Sequence, residues 1–226
     1  MKIISPSFEI LSSVAPEVIL KNLEAYGRVC YKSENKATPA STDPFIRKLI
    51  KSGHESVIEH EKITVRIICS RSVTHEIIRH RIASYTQEST RYCNYAQERF
   101  GNELTFVKPC FWAYDSAAYS IWLKQMQSIE DNYLALIAAS ATPEQASSIL
   151  PSSLKSEIIV SMNLREWRHF FKLRTSKRAH PQMREISIPL LCAMQNLLPA
   201  VFDDITATEE AYDNAPNQCQ CHKINR

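Results

Sequence analysis

Arg79-His80-Arg81-Ile82-Ala83-Ser84-Tyr85-Thr86-Gln87-Glu88-Ser89-Thr90-Arg91-Tyr92 packs basic, hydroxyl, amide and carboxylate side chains into fourteen positions. So polar a run is costly to bury unless something pairs it. Arginine forks match phosphate oxygens in a bidentate way, so one partner that would satisfy it is a polyanion. A solvated charged face is the other reading that composition allows. Arg79 and Arg81 are about 200° apart on a helix but share one face of an extended chain. A helix that runs out here would therefore aim its cations around a ligand.

The flanks indicate scaffold. Upstream, Lys62 to Ser70 alternates Ile63, Val65 and Ile67 with Thr64, Arg66 and Ile68, a strand with one buried face. A helix is expected from Ser72, with Val73 and Ile77 stacked, delivering Glu76 and Arg79 to its end. Downstream, Asn94 to Pro109 reads as loop and strand, with Leu104, Phe106 and Val107. Ser116 to Ala139 carries Tyr119, Leu123, Met126, Ile129, Tyr133, Leu136 and Ile137 at helical spacing, a long core helix.

The other elements follow similar signals. Lys2 to Ile10 reads as one first strand. Pro16 fits the first turn of a helix to about Tyr26. Asp43-Pro44 opens a short helix through Phe45, Leu49 and Ile50 that Gly53 ends. His54 to His60 reads as a polar loop entering the strand. Thr142-Pro143-Glu144-Gln145 is a helix start. Ser156 to Met162 is a strand with Ile158 and Val160 on one face. Asn163 can cap a helix in which Trp167, Phe170 and Phe171 form an apolar stripe. Arg174 prolongs that stripe, and snorkelling of its head to water is its bland explanation. Arg165 and His169 share another side. A last helix runs from His180 through Leu197, with Pro189 a candidate kink.

Composition bounds the function. With 226 residues, 44% hydrophobic and 23% charged, the chain is an ordinary globular protein. One α+β domain over residues 1–207, with a mixed or antiparallel sheet, several packed helices and a polar tail over 208–226, is the simplest account. A net charge of +3 is too small to argue for nucleic acid. Three glycines leave no GxGxxG or Walker loop, so side chains would have to hold a nucleotide cofactor. No apolar run suits a membrane span or a signal peptide. Seven scattered cysteines read as reduced thiols in a cytoplasm. Cys219-Gln220-Cys221-His222 has metal-ligating chemistry but no second Cys/His pair, so a frayed tail is favoured and no metal is expected.

The order Arg79-His80-Arg81, then Ser84, then Ser89-Thr90-Arg91-Tyr92, resembles the signature of the flavin-dependent thymidylate synthases. The resemblance runs from about His54 to Leu191. It includes His54-Glu55 with Glu59-His60, Asn163-Leu164-Arg165, and Leu173-Arg174. It implies reductive methylation of dUMP to dTMP by a cytoplasmic homotetramer. Methylenetetrahydrofolate would supply the carbon, and an FAD reduced by NADPH the hydride. It implies flavin contacts at Ser56, Arg79, His80, Arg81, Gln87, Asn163, Arg165 and His169. The nucleotide would lie against Glu76, Arg79, Gln87, Glu88, Ser89, Thr90, Arg91 and Arg174. Attack would come from the activated uracil itself, with no enzyme nucleophile, and Arg174 would stabilise negative charge on the ring.

Ser147 is a departure: the family usually has a phosphate-clamping arginine there. Weaker binding, compensation by Arg178 or Lys177, and a different pyrimidine nucleotide all stay open. A non-catalytic nucleotide- or RNA-binding protein is the rival from another class, disfavoured by the near-neutral charge.

Overall fold

The computed structural model describes residues 1–13 and 15–207. Cys219 to His222 and the expected tail therefore lie outside the described residues. Strand β3, Lys62–Ser70, forms as its alternation predicts: Ile63, Val65 and Ile67 are fully buried. It pairs antiparallel with β6, Lys155–Asn163, whose Ile158, Val160 and Met162 bury on the same side. β2, Ser7–Ile10, and β4, Ala83–Gln87, complete an antiparallel sheet in the order β2-β3-β6-β4. The expected first strand is broken at Ser5-Pro6. Its first half, β1 (Lys2–Ile4), pairs in parallel with β5 (Thr105–Val107) in a separate two-stranded sheet. Proline has no N–H to donate to a ladder, so one continuous strand is disfavoured there.

Helices cover one face of the main sheet. Asn163 caps α6, Leu164–Arg174, by accepting from the Glu166 N–H at 2.8 Å. The stripe Trp167, Phe170 and Phe171 is fully buried against the sheet, and the Trp167 indole donates to Ile63 O at 3.0 Å. Truncating one such aromatic to alanine costs about 3–5 kcal/mol. α7, Pro181–Leu197, runs without a break through Pro189, which is exposed, and adds Met183, Ile186 and Leu190 to this core. α8, Pro199–Phe202, closes it.

α1, Pro16–Val29, and α2, Thr42–Lys51, pack closely on one another. A Cβ on Gly27 would meet the Phe45 ring at 2.8 Å, so any larger residue there would force that ring to shift. α2 ends at Gly53 (φ +74°), with His54 N bonded to Leu49 O and Gly53 N to Ile50 O. The following segment, Glu55–His60, is a 3₁₀ helix and not the expected loop.

A second core lies under β5 and α4, Ala117–Ala138, with Tyr119, Trp122, Met126 and Tyr133 buried. Glu130 is buried there too, because it pairs with the Met1 ammonium at 3.0 Å and accepts from the Leu104 N–H. α5, Pro143–Ala146, starts with a capping box made by Thr142 and Gln145. Among the described residues, no helix is long and apolar enough to cross a membrane.

Candidate active site

The polar run divides into two stations at the ends of β4. α3, Arg71–Ile77, ends just before Arg79. The next three residues alternate: Arg79 and Arg81 are exposed and His80 between them is buried. Tyr85, on β4, fixes this bend by donating to Ile77 O at 3.0 Å and His80 O at 2.5 Å.

His80 is held from both sides. Its Nδ1 meets Glu166 Oε1 at 3.1 Å, and its Nε2 accepts from Arg174 Nε at 3.1 Å. A guanidinium cannot accept, so the ring proton sits on Nδ1 and is donated to Glu166. Burial, ahead of the Glu166 bond that opposes it and the Arg174 charge that adds to it, holds the imidazole below its usual pKa. His80, Glu166 and His169 place ligand-type atoms within 4.8 Å of one another. Both His80 nitrogens are already engaged, so these groups form a hydrogen-bonded network with no lone pair left on His80 for a metal.

Arg174 does not snorkel. Its Nη1 donates to Glu76 Oε2 at 2.9 Å and its Nη2 to Glu76 O at 3.0 Å. With Nε on His80, three donors fix the fork, and 19% of the side chain stays exposed.

Beside this network lies a cleft of about 510 Å³ whose lining includes Glu55, Glu59, Asn163, Arg165, His169 and Lys172. Arg165 and His169 reach it together, as their i, i+4 spacing requires. Arg165 Nη1 lies 2.5 Å from Glu59 Oε1, a pairing that raises its already high pKa. Ser56 is exposed on the 3₁₀ turn between Glu55 and Glu59.

At the far end of β4, Gln87 spends its amide N–H groups inside the chain, on Thr74 Oγ1 at 3.0 Å and Ser156 Oγ at 2.9 Å. Glu88 is anchored by Lys155, Tyr95 and the Glu157 backbone. Ser89 to Cys93 is a self-bonded turn. Ser89 O accepts from the Tyr92 and Cys93 N–H groups, and Ser89 Oγ from the Arg91 N–H at 3.3 Å. Arg91 pairs with Glu144 at 2.8 Å. Ser147 follows α5, partly exposed, with its hydroxyl donated to Glu144 O at 2.7 Å. The four steps from Ala83 to Gln87 span about 13 Å of strand, so the His80 station and the Ser89 turn are well apart within one chain.

Sequence reasoning omitted Glu166, Lys172, Tyr95 and Lys155. Glu166 stands three residues after a capping asparagine, where an acid usually serves the helix start. Nothing local shows that its carboxylate faces His80. It also omitted β4 itself, because Tyr85 and Gln87 interrupt an apolar alternation.

The chain is similar to known proteins in sequence and fold. The thymidylate synthase complementing protein family matches residues 17–200. A flavin-dependent thymidylate synthase of Pyrococcus furiosus is 38% identical over 167 residues, 74% of this chain and 68% of that protein. One of Geobacter sulfurreducens is 33% identical over 184 residues, 78% of each chain. The crystal structure of a UMP/dUMP methylase from Streptomyces cacaoi bound with 5-Br dUMP superposes with a TM-score of 0.69 at 23% identity, covering 90% of this chain and 96% of that one. The match over 17–200 means that this chain belongs to the thymidylate synthase complementing protein family.

Proposed function

We propose that the protein is a flavin-dependent thymidylate synthase, a methyltransferase whose catalytic domain spans residues 1–207. It converts dUMP to dTMP with 5,10-methylenetetrahydrofolate as carbon donor and an NADPH-reduced FAD as hydride donor. The observation that carries this reading is the fixed Arg174 fork, a cation locked by Glu76 and His80 yet still partly exposed. Such a preorganised donor suits the charge that develops when the uracil imide nitrogen loses its proton.

The residues fit a flavin dinucleotide. The cleft offers Arg165 and Lys172, with Arg79 and Arg81 exposed nearby, and a diphosphate needs such cations. Glu59 now occupies Arg165 and would yield it. When bound, the flavin supplies the hydride. His80, Asn163, Arg165, His169 and Ser56 would orient it, with Gln87 from the other station. Glu76, Arg79 and Arg174 would hold the pyrimidine nucleotide, and the Ser89-Thr90-Arg91 turn its phosphate side.

No enzyme nucleophile is required. Burial and the nearby Glu88 charge push the Cys93 thiol up, and burial takes Cys69 to about 12, away from thiolate chemistry. Ser89 Oγ is used within its own turn. The separation of the stations within one chain suits a site shared between copies of the chain, and the homotetramer is what the family resemblance implies. We place the enzyme in the cytoplasm. At Ser147, Arg178 or Lys177, both exposed after α6, would supply the missing cation.

The test is the visible spectrum of the purified protein, before and after dUMP. Oxidised-flavin bands that shift with dUMP, and less with UMP, are expected. A colourless protein that FAD cannot reconstitute would refute the enzyme reading.

A further inference from the structure

The turn bearing Ser89, Thr90 and Arg91 is fixed from behind by a carboxylate. The Glu88 N–H closes the β4 ladder on Glu157 O at 2.8 Å. Its side chain returns to the same place. Oε1 accepts from the Tyr95 hydroxyl at 2.9 Å; Oε2 accepts from Lys155 Nζ at 2.7 Å and from the Glu157 N–H at 3.2 Å. The Glu88 side chain is 12% exposed and that of Lys155 23%. Tyr95 is buried, bonded through its N–H to the Tyr133 hydroxyl and packed edge-on to Phe100. Burial and the Glu88 charge keep its phenol protonated, so it remains a donor.

Both oxygens of Glu88 are thus committed. A ligand could take either only by breaking a hydrogen bond that is partly buried and, for Lys155, charge-assisted. The turn that follows is bonded to itself through Ser89. Its other tie, Arg91 to Glu144, joins two groups each 60% exposed and contributes little. Placement of the turn therefore depends on the brace behind it.

We propose that Lys155 and Tyr95 are positioning residues: through the Glu88 carboxylate they set the pose of the Ser89–Arg91 turn and so the affinity for a phosphate-bearing pyrimidine nucleotide. The inference rests on the reading that this turn meets dUMP. It also reassigns the Glu88 side chain from a nucleotide contact to the keystone of the brace.

The test uses full-length, flavin-loaded Lys155→Met, Lys155→Arg and Tyr95→Phe proteins. Three quantities are read: KM and kcat for dUMP, dUMP Kd from the flavin spectrum, and flavin content. Lys155→Met should raise the dUMP KM and Kd roughly tenfold with kcat and flavin content nearly unchanged, since only binding geometry is lost. Lys155→Arg should return both to within about threefold, and Tyr95→Phe, which keeps the ring packed, should shift them about threefold. If Lys155→Met does not fold, the Tyr95→Phe and Lys155→Arg proteins decide. An unchanged dUMP Kd in the folded variants overturns the brace. So does a loss of kcat and flavin in proportion to KM, with no rescue by arginine. Wild-type protein that carries flavin but ignores dUMP overturns the functional reading and the brace with it; responsive wild type with unresponsive variants overturns the brace alone.

Discussion

Replacing Arg174 by lysine separates charge from geometry at the centre of the site. Lysine keeps the positive charge but not the planar fork. In the wild-type fork, Nη1 meets Glu76 Oε2, Nη2 meets Glu76 O, and Nε meets His80 Nε2. A single ammonium can replace the first of these. The second loss is a charge-assisted bond of about 1.5–3 kcal/mol. The third leaves the acceptor of a 5%-exposed ring without its donor, at about 1–3 kcal/mol. Part of this is recovered when the shorter, freer chain relaxes, so a loss of about 3 kcal/mol is expected, roughly a hundredfold in kcat/KM. The assay is steady-state dTMP formation with saturating folate and NADPH, alongside the dUMP-dependent shift of the flavin spectrum. The spectral shift should survive, because charge alone still attracts the nucleotide, while turnover falls. A double-mutant cycle with Glu76→Gln should show coupling of about 1–3 kcal/mol. Arg174→Lys protein with kcat/KM within threefold of wild type would refute the reasoning: the site would then need a cation there and not an oriented donor.

Three further outcomes follow from other parts of the molecule. Arg168 is buried, with Nη1 and Nη2 on the Asp204 carboxylate at 2.5 and 2.7 Å, Nη1 on Val201 O, and Nε on Glu55. Arg168→Met should cost about 3 kcal/mol in urea unfolding, at the low end for a broken buried pair because the Asp204 side chain is 54% exposed and can turn to water. Burial raises the Glu185 carboxyl to about 7 from its ordinary 4.5. The folded state then binds more protons than the unfolded one, so the stability it contributes is present below pH 4.5 and lost as pH rises through 7. Glu185→Gln should accordingly stabilise the protein by on the order of 2–3 kcal/mol at pH 8 and hardly at all at pH 4.5, read from thermal melts at both values. Ser147→Arg should leave the dUMP KM within about threefold, because Arg178 or Lys177 supplies the phosphate cation; a fall of roughly ten- to a hundredfold, the worth of one charge-assisted contact, would show that neither does.

Period and punctuation alone made much of this protein legible. The two-residue alternation of Lys62 to Ser70 and Ser156 to Met162 gave both central strands and their buried faces, because pleating allows only one face to bury. Thr142, Asn163 and Gly53 marked helix ends because their local hydrogen bonding or backbone freedom is a property of the residue itself. The arginines of Arg79 to Tyr92 pointed to an anionic ligand for the same reason: guanidinium chemistry is independent of fold.

Tertiary structure decided which groups meet. Glu76 and Arg174 are ninety-eight positions apart, and His80 and Glu166 eighty-six, so no local pattern encodes their hydrogen bonds. The same holds for Glu88, which the family resemblance places among nucleotide contacts and packing hands to Lys155, sixty-seven positions on. The separation of the two stations is also a tertiary fact, since adjacent residues in a motif are driven apart once β4 extends between them. A charged side chain states what it can bind. Only the antiparallel pairing of β4 with β6, and the packing of α6 beneath the sheet, determines which partner it finds, because burial leaves each charge no alternative but the groups the fold brings within reach.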